Sequence, residues 1–355
     1  MSFTNPNMHL LPSTAHTLYA YKNLYRRKTS NIRTLQVSDD NGYTWSDMYT
    51  FDYNVGVVIE TDNAICVSQD PADSFWSDPP AEIWRSTDGG TSFSKVLTFE
   101  KGGLVSFSYD VRANTVYLGE YGEYNSTKVY KSSDGGATWS TVFTHPVDGS
   151  STAHIHAVHI DNFNSERVFV SYGDGSLAKG ISWTEDGGST WSTLTRNHQP
   201  TWIETSAKHV FFGEDLEGTI SRIAKSDLSL GDDAYETVYV AQTDDRGDFA
   251  DLSFYSGGSD SNGTIYFGGI SYGEAHGSNN KDAVLVGTAN EGETWSLIKQ
   301  YERNPTSSSG PAFITDQTSD GKLYIKNNSP NIVEFFWVNR IGLQVKAASM
   351  TRQPV

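Results

Sequence analysis

The chain has 355 residues, with 26 lysines and arginines against 43 aspartates and glutamates, which gives a formal net charge of −17. Such a negative field repels nucleic acid and anionic membrane surfaces, so neither is an expected partner. The single cysteine, Cys66, excludes an intramolecular disulfide framework. No apolar run approaches the length of a membrane span and no secretion signal is visible at the N-terminus, so membrane insertion is not expected.

Glycines and aromatic residues are abundant. The chain contains 32 glycines, an aromatic content of 13% and only 11 prolines. This composition favours turn-rich strands around a sizeable core, and no long run shows the 3.6-residue apolar period of a helix. The predicted fold class is therefore all-β with little helix. Closed β architectures commonly exceed the usual domain length without dividing, so residues 1–355 are predicted to form one domain.

One short phrase returns five times along the chain. Each copy begins with Ser or Thr, has Asp or Asn at its third position and Gly at its fifth, and ends in an aromatic residue; the copies are residues 38–45, 86–93, 132–139, 184–191 and 288–295. Successive copies lie roughly 50 residues apart, and the last interval is about twice as long. A worn copy without the glycines, residues 222–239, fills that gap. A repeat of this length that reads as short strands indicates a β-propeller blade.

The residue types of the phrase predict a tight turn. The hydroxyl at its first position and the carboxylate at its third can bond backbone N–H groups of the turn. One glycine position is shared by all five copies, which indicates a residue with positive φ; it is occupied by Gly42, Gly90, Gly136, Gly188 and Gly292. The closing aromatic residue begins the next strand and can pack under the turn.

The five phrases resemble the Asp-box, S-x-D-x-G-x-T-W, which occurs in sialidases and many other β-propellers. The resemblance implies that each box joins the third and fourth strands of a blade, on the face away from the ligand site. It also implies that acidic residues of the boxes, such as Asp88 and Asp134, support turns and take no part in catalysis.

The segments around the boxes supply the other strands, and the length predicts seven four-stranded blades, with six as the alternative. In chain order the predicted strands are 18–22, 34–37 and 44–50 in blade one; 57–60, 64–68, 82–86 and 93–99 in blade two; 104–109, 115–119, 128–132 and 138–143 in blade three; 154–160, 167–172, 180–184 and 190–194 in blade four; 202–204 and 209–213 in blade five; 252–255 and 264–270 in blade six; and 312–316, 322–326, 332–338 and 343–347 in blade seven.

Acidic residues follow a glycine at the ends of four predicted second strands: Glu120, Asp174, Glu214 and Glu274. In a propeller these strand ends share one face with the channel mouth, so the four carboxylates are predicted to ring it. They would form a polar cup for sugar hydroxyls or for a hard divalent cation, which takes oxygen ligands. The alternative is that strand ends favour glycine and polar residues for structural reasons.

Two histidines begin the first strand of blade four. His154 and His156 are two residues apart, so both side chains are predicted to project to the same side of the strand, whereas His159 has the opposite parity. Such a pair can supply two imidazole ligands to a metal ion, with Asp174 as a further candidate, or a base and its orienting partner. The alternative is a solvated channel wall.

Aromatic and polar residues near the same mouth complete the candidate site. The predicted substrate-binding residues include Tyr121, Trp202, Arg246 and Tyr272, with His198 nearby. Aromatic faces that stack on sugar C–H surfaces, together with acids that bind hydroxyls, are typical of carbohydrate sites.

The resemblance to true sialidases is incomplete. Their early Arg-Ile-Pro phrase is absent, and Arg26, Arg27 and Arg33 lie in a different context. The segment from His154 through Tyr172 to the following box is similar to sialidase-like Asp-box proteins that are not true sialidases. The pair of histidines and Tyr172 are also similar in kind to the catalytic residues of propeller polysaccharide lyases.

Two classes of function therefore remain open. The first is a module that binds a cell-surface or extracellular polysaccharide, outside the cell or on a virion surface or tail, where it would assemble into a larger particle. The second is a polysaccharide lyase or glycoside hydrolase in which His154, His156 and Tyr172 carry the chemistry. The first is the preferred hypothesis, because no complete catalytic constellation can be read from the residues.

Overall fold

The structure is a computed structural model of the chain. It describes residues 8–11, 18–20, 23–28, 30–40, 43–70, 80–99, 109–120, 127–145, 154–173, 179–215, 217–241, 252–259, 263–271, 283–301, 312–314, 322–327 and 332–337. Strands dominate these residues, as the composition predicts.

Six sheets, called blades one to six below, each consist of four antiparallel strands that follow one another in the chain. Blade one contains β2 (Leu18–Ala20), β3 (Leu24–Lys28), β4 (Asn31–Ser38) and β5 (Ser46–Thr50); blade two contains β6 (Asn54–Glu60), β7 (Ile65–Asp70), β8 (Glu82–Ser86) and β9 (Ser94–Thr98); blade three contains β10 (Tyr109–Arg112), β11 (Thr115–Gly119), β12 (Lys128–Ser132) and β13 (Ser140–Thr144). Blade four contains β14 (His154–Ile160), β15 (Val168–Gly173), β16 (Gly180–Thr184) and β17 (Ser192–Thr195); blade five contains β18 (Pro200–Thr205), β19 (His209–Glu214), β20 (Thr219–Ala224) and β21 (Glu236–Val240); blade six contains β22 (Leu252–Ser259), β23 (Ile265–Ser271), β24 (Ala283–Thr288) and β25 (Ser296–Tyr301).

One further four-stranded sheet in the described part of the chain joins its two ends. It places β1 (Met8–Leu11) beside β28 (Ile332–Trp337), followed by β27 (Lys322–Asn327) and β26 (Ala312–Ile314). The predicted plan of seven blades formed in strict chain order is therefore corrected: six blades are contiguous and the remaining sheet is composite. Its edge strand is β1, which pairs antiparallel with β28, whereas the predicted strand 343–347 lies outside the described residues.

The hydrophobic core lies between neighbouring blades, because from blade one to blade six each sheet packs face to face on the one that follows it. Blades four and five, for example, enclose Phe169, Ile181, Val210 and Phe212, all completely buried. Four further clusters join blades one and two, two and three, three and four, and five and six. Burial of each such side chain contributes about 1.5–3 kcal/mol of hydrophobic free energy, so inter-blade packing is the main source of stability.

The five repeated phrases form turns, here called repeat turns, between the third and fourth strands of blades one, two, three, four and six. In blade three, Ser132 Oγ donates to Asp134 Oδ1 at 2.8 Å, and the Thr138 hydroxyl donates to Asp134 Oδ2 at 2.7 Å. The backbone N–H of Gly136 donates to Ser132 Oγ at 2.8 Å, and Gly136 has a φ of 80°. The hydrogen bonds from Thr138, together with that from Ser132, hold the pKa of Asp134 well below its usual range. The side chains therefore close the turn as the phrase predicts.

A basic side chain links some blades to the repeat turn of the next. Arg85 of blade two donates from Nε to the carbonyl of Gly135 in blade three at 2.7 Å. Lys131 of blade three donates to the backbone carbonyl of Gly187 in blade four at 2.9 Å. Arg222 of blade five donates to the backbone carbonyl of Glu291 in blade six. All three donors occupy the same position on a third strand, so the bonds run in one direction along the series of blades.

Blade five lacks a repeat turn. The worn copy forms a 3₁₀ segment, Lys225–Ala234, between β20 and β21. The equivalent of the basic donor in blade four is Trp183, whose Nε1 is buried and has no hydrogen-bond partner among the residues that the structure describes. The loss of the turn in one blade thus leaves a buried donor unused in the blade before it.

The first strands of blades four, five and six share a β-bulge near one end. In blade four, Ile155 pairs with Tyr172 and Ala157 with Ser171, so His156 is an extra residue. Thr201 and Tyr255 are the corresponding extra residues in blades five and six. Bulges change the direction of side chains and break the alternation of a strand. The side chains of these three residues therefore do not point in the direction that a regular strand would give them.

Candidate functional site

The candidate site lies at the end of the blades opposite the repeat turns, here called the mouth face. First strands begin there and second strands end there, as shown by the pairs His154 with Gly173 and Pro200 with Glu214. The bulges of blades four to six are on the same side. Residues from three consecutive blades therefore meet at this face.

His154 and His156 are brought together, with ring centroids 5.0 Å apart. The reason differs from the predicted parity, because the bulge at His156 interrupts the alternation of β14. Both side chains are buried, with 4% and 7% exposure, so they lie beneath the surface of the mouth face. The His156 ring lies against the α-carbon of Gly173 and leaves no room there for a Cβ atom. A glycine at this strand end is therefore needed for close approach.

Glu120 and Tyr172 are also placed in the wall. Glu120 is buried; its Oε2 accepts a hydrogen bond from the backbone N–H of Lys128 at 3.2 Å, and its carbonyl accepts one from Ile155 at 3.2 Å. Tyr172 is 1% exposed and its hydroxyl lies 3.0 Å from Ser182 Oγ. Burial raises the pKa of Tyr172. The structure thus places the tyrosine in the core beneath the mouth face and not at its surface.

A continuous row of polar side chains crosses blades four to six; we call it the mouth strip, and it consists of His156, Gln199, Asp215, Ser253 and Tyr255. Gln199 lies beside His156 over Gly173, and its Nε2 donates to Asp215 Oδ2 at 3.2 Å. Asp215 Oδ1 accepts hydrogen bonds from Ser253 at 2.7 Å and from the Tyr255 hydroxyl at 3.0 Å. Asp215 therefore joins the connection between blades four and five to the first strand of blade six.

Glu214 lies at the mouth end of the interface between blades four and five. It is 1% exposed and accepts hydrogen bonds from the Tyr235 hydroxyl and from the backbone N–H of Gln199. His198 Nδ1 is 3.5 Å from Glu214 Oε1. Burial, followed by the charge of Glu214, raises the pKa of Tyr235 well above its ordinary value. Tyr235 is therefore a neutral donor to a buried acidic group.

Glu217 stands near this carboxylate and is affected by it. Glu217 is exposed, but partial desolvation raises its pKa and the charge of Glu214 raises it further, whereas His198 and Lys179 act in the opposite direction. A carboxyl group whose pKa is raised beside a second acid is a feature of acid–base sites.

Trp202 packs between blades five and six. Its Nε1 donates to Glu204 Oε1 at 3.0 Å, and its ring covers Gly257, where a Cβ atom would come within 2.5 Å of Trp202 Cδ1. The remaining predicted site residues, Tyr121, Asp174, Arg246, Tyr272 and Glu274, lie outside the described residues.

Sequence reasoning missed Gln199, Asp215, Ser253, Tyr255 and Tyr235. Asp215 directly follows the predicted Glu214, which is a local signal. Ser253 and Tyr255 share the first strand of blade six, whereas Gln199 and Tyr235 come from two other parts of the chain, and only the arrangement of the blades brings all four to one face.

No group of three His, Cys, Asp or Glu side chains that could hold a metal ion occurs among the described residues. His154 and His156 do meet, but Asp174, the third candidate ligand, is outside that part of the chain. In the same described part, no helix is long and apolar enough to cross a bilayer.

Sequence comparison gives one partial match. The family model Sortilin-Vps10 (Sortilin, neurotensin receptor 3), which represents a β-propeller family, matches residues 81–256, just under half of the chain. No curated protein shows significant sequence similarity.

Several solved structures are similar. YCF48 from Cyanidioschyzon merolae has a TM-score of 0.57 and 14% identity, covering 93% of this chain and 98% of that one. The GH74 enzyme of Niastella koreensis has a TM-score of 0.57 and 14% identity, covering 88% of this chain and 50% of the enzyme. The extracellular domain of a putative one-component system from B. thetaiotaomicron has a TM-score of 0.58 and 12% identity, covering 94% of this chain and 40% of that domain.

At these identities the similarity concerns the fold. This chain spans half or less of the GH74 enzyme and of the extracellular domain. The four-stranded antiparallel sheets, the packing of one sheet on the next and the similar structures lead to one conclusion: the chain has a β-propeller fold.

Proposed function

We propose that the protein is a carbohydrate-recognising propeller of the Asp-box type, distinct from true sialidases, and that it binds a cell-surface or extracellular polysaccharide through the mouth strip. The observation that carries this proposal is the row from His156 to Tyr255, which joins three blades on one face. The proposed setting is outside the cell or on a virion surface, where the protein would encounter such polysaccharides.

The chemistry of the strip suits sugars. Gln199, Asp215 and Tyr255 are partly exposed and offer amide, carboxylate and hydroxyl groups, and the buried Ser253 helps to fix their positions through its hydrogen bond to Asp215. Sugar hydroxyls both donate and accept, and sites for them combine a few placed polar groups with aromatic surfaces. The strip is preorganised, which lowers the entropic cost of binding.

The similarity to GH74 enzymes, one of which is named as a xyloglucanase from Xanthomonas campestris, supports a polysaccharide as the ligand class. The identity of 12% to that enzyme limits this support to the fold. The residues of the mouth strip carry the proposal independently.

A glycan array tests the function. Tyr255→Phe removes one hydroxyl and Asp215→Asn removes the charge that joins the blades; each should weaken glycan binding about tenfold or more, as expected for loss of a hydrogen bond to a charged or placed group. His209→Phe, on the opposite face, is the matched control and should bind normally. The proposal is wrong if the folded wild type binds no glycan, or if both mouth variants bind as strongly as the wild type.

A polysaccharide-degrading enzyme is the second candidate, favoured by one observation. The raised pKa of Glu217 beside Glu214 suits a proton donor to a leaving sugar oxygen. If this candidate is correct, Glu217→Gln should abolish the release of new reducing ends from a bound polysaccharide while binding persists. Binding without any release of product by the wild type would exclude it.

A further inference from the structure

His198 covers the mouth end of the interface between blades four and five. It lies in the connection between β17 and β18, and its ring stacks on Tyr235 with centroids 3.8 Å apart and an interplanar angle of 18°. Tyr235 in turn stacks on Phe212 at 5.4 Å. This column fixes the plane of the imidazole, while 28% of the His198 side chain remains exposed.

The two ring nitrogens have different surroundings. Nδ1 lies 3.5 Å from Oε1 of the buried Glu214, whereas Nε2 has no hydrogen-bond partner in the part of the chain that the structure describes. A carboxylate beside one nitrogen favours the tautomer with the proton on that nitrogen. Nε2 is then an acceptor in the neutral ring and a donor in the charged ring.

We propose that His198 is a ligand-contacting residue at the edge of the mouth strip, that Glu214 keeps a proton on its Nδ1, and that Nε2 offers a bound glycan an acceptor or a donor according to pH. Gln199, the next residue, belongs to the strip itself, and its backbone N–H bonds to the same Glu214 carboxylate that lies beside His198, so His198 flanks the strip. The inference rests on the proposed function and adds a residue and a dependence on pH to it.

The charged groups around His198 come from several elements. Burial opposes protonation of the ring, but Glu214 at the end of β19, Asp232 in the 3₁₀ segment and Glu217 before β20 together raise the pKa of His198 above its ordinary value. Tyr235 stays neutral because its own pKa is raised well above 10.0. The imidazolium is therefore present below the raised pKa and is lost as the pH rises through it.

The change of Nε2 from acceptor to donor predicts which kind of sugar oxygen His198 recognises. A ring or glycosidic oxygen only accepts hydrogen bonds, so it can pair with Nε2 only when the imidazole is charged. A hydroxyl can pair with either form. Affinity for a neutral oligosaccharide that places an ether oxygen at His198 should therefore rise as the pH falls.

The test uses cellohexaose, xylohexaose, mannohexaose and chitohexaose as neutral probes, with the dissociation constants measured by calorimetry at about pH 5 and about pH 8. We expect at least one probe to bind the wild type about tenfold more tightly at the lower pH, as one hydrogen bond to a charged group allows. His198→Phe keeps the stack on Tyr235 and should remove the pH dependence. Glu214→Gln should move the midpoint of the pH dependence of binding to lower pH, because it removes the negative charge beside His198. His209→Phe should leave this midpoint unchanged.

Histidine ¹⁵N shifts of the free protein provide a readout without ligand. The signals that disappear in the His198→Phe variant belong to His198. Over the pH titration they should show that Nδ1 stays protonated and that Nε2 gains its proton as the pH falls. Titration of Nδ1 instead, or pH-independent binding of the probes by the wild type, overturns the inference and leaves the proposed function intact. If no probe binds at either pH and the glycan array is also negative, both fail together.

Discussion

Gly136→Ala is the most direct test of the way in which the repeat turns join the blades. Gly136 has a φ of 80°, a conformation that costs an alanine about 1–2 kcal/mol. The new Cβ atom would also overlap Sγ of Cys66, a completely buried residue of blade two. Such overpacking costs about 1–3 kcal/mol, so the expected loss in the free energy of unfolding is about 2–5 kcal/mol.

Gly89→Ala separates the two effects. Gly89 has a φ of 70°, but no atom lies within 4 Å of the position that its Cβ would occupy. The Gly89→Ala variant should therefore lose only about 1–2 kcal/mol in the free energy of unfolding, from backbone strain alone. Urea unfolding of both variants, with the midpoint and the slope compared with those of the wild type, measures the difference.

The steric part can be checked by a double-mutant cycle. In a Cys66→Ala background, Gly136→Ala should cost less by about 1–3 kcal/mol, because the overlapping sulfur is gone. Equal losses for Gly136→Ala and Gly89→Ala, or strict additivity in the cycle, would refute the reasoning. Glycan binding by the folded fraction should not change, since this turn is on the face opposite the mouth strip.

Two other predictions concern the carboxylates of the repeat turns. Asp134→Ala should lower the free energy of unfolding by about 1 kcal/mol, by analogy with a lost side-chain cap, and leave glycan affinity intact; a selective loss of binding with an unchanged Tm would contradict it. Hydrogen bonds from Ser92 and Ser86 lower the pKa of Asp88 to about 2. Stability from this group is fully present above the unfolded pKa near 3.8 and is lost as the pH falls towards 2, so the Tm of Asp88→Asn should decrease less over that interval than the Tm of the wild type.

Local chemistry made much of the fold predictable. The repeat turns were correctly located because their side chains bond to the backbone within the phrase itself, as with Ser132 and Asp134. The edge strand β1 was not predicted, because pairing of Met8–Leu11 with β28 joins the two ends of the chain. The 3₁₀ segment in blade five was recognised only as a worn copy.

The site was less predictable, because it too depends on contacts between residues that are far apart in the sequence. Glu214 and the two histidines lie at strand ends that a blade plan can locate, yet the bulge at His156 depends on the pairing of β14 with β15. Gln199, Asp215 and Tyr255 interact across the boundary between blades five and six, and their contact is set by the arrangement of the sheets. No local pattern in the sequence encodes that contact.

The one-way bonds from Arg85, Lys131 and Arg222 to the following repeat turn have a consequence for how such a chain can lengthen. A duplicated blade would carry both an acceptor for its predecessor and a donor for its successor, so an internal duplication creates no unmatched junction. Loss of a turn has the opposite effect, because the unmatched donor is then in the preceding blade, as at Trp183. Along blades two to five, the third-strand residue at this position therefore reflects whether the next blade retains its turn: Arg85, Lys131 and Arg222 bond to a turn, and Trp183 has none to bond.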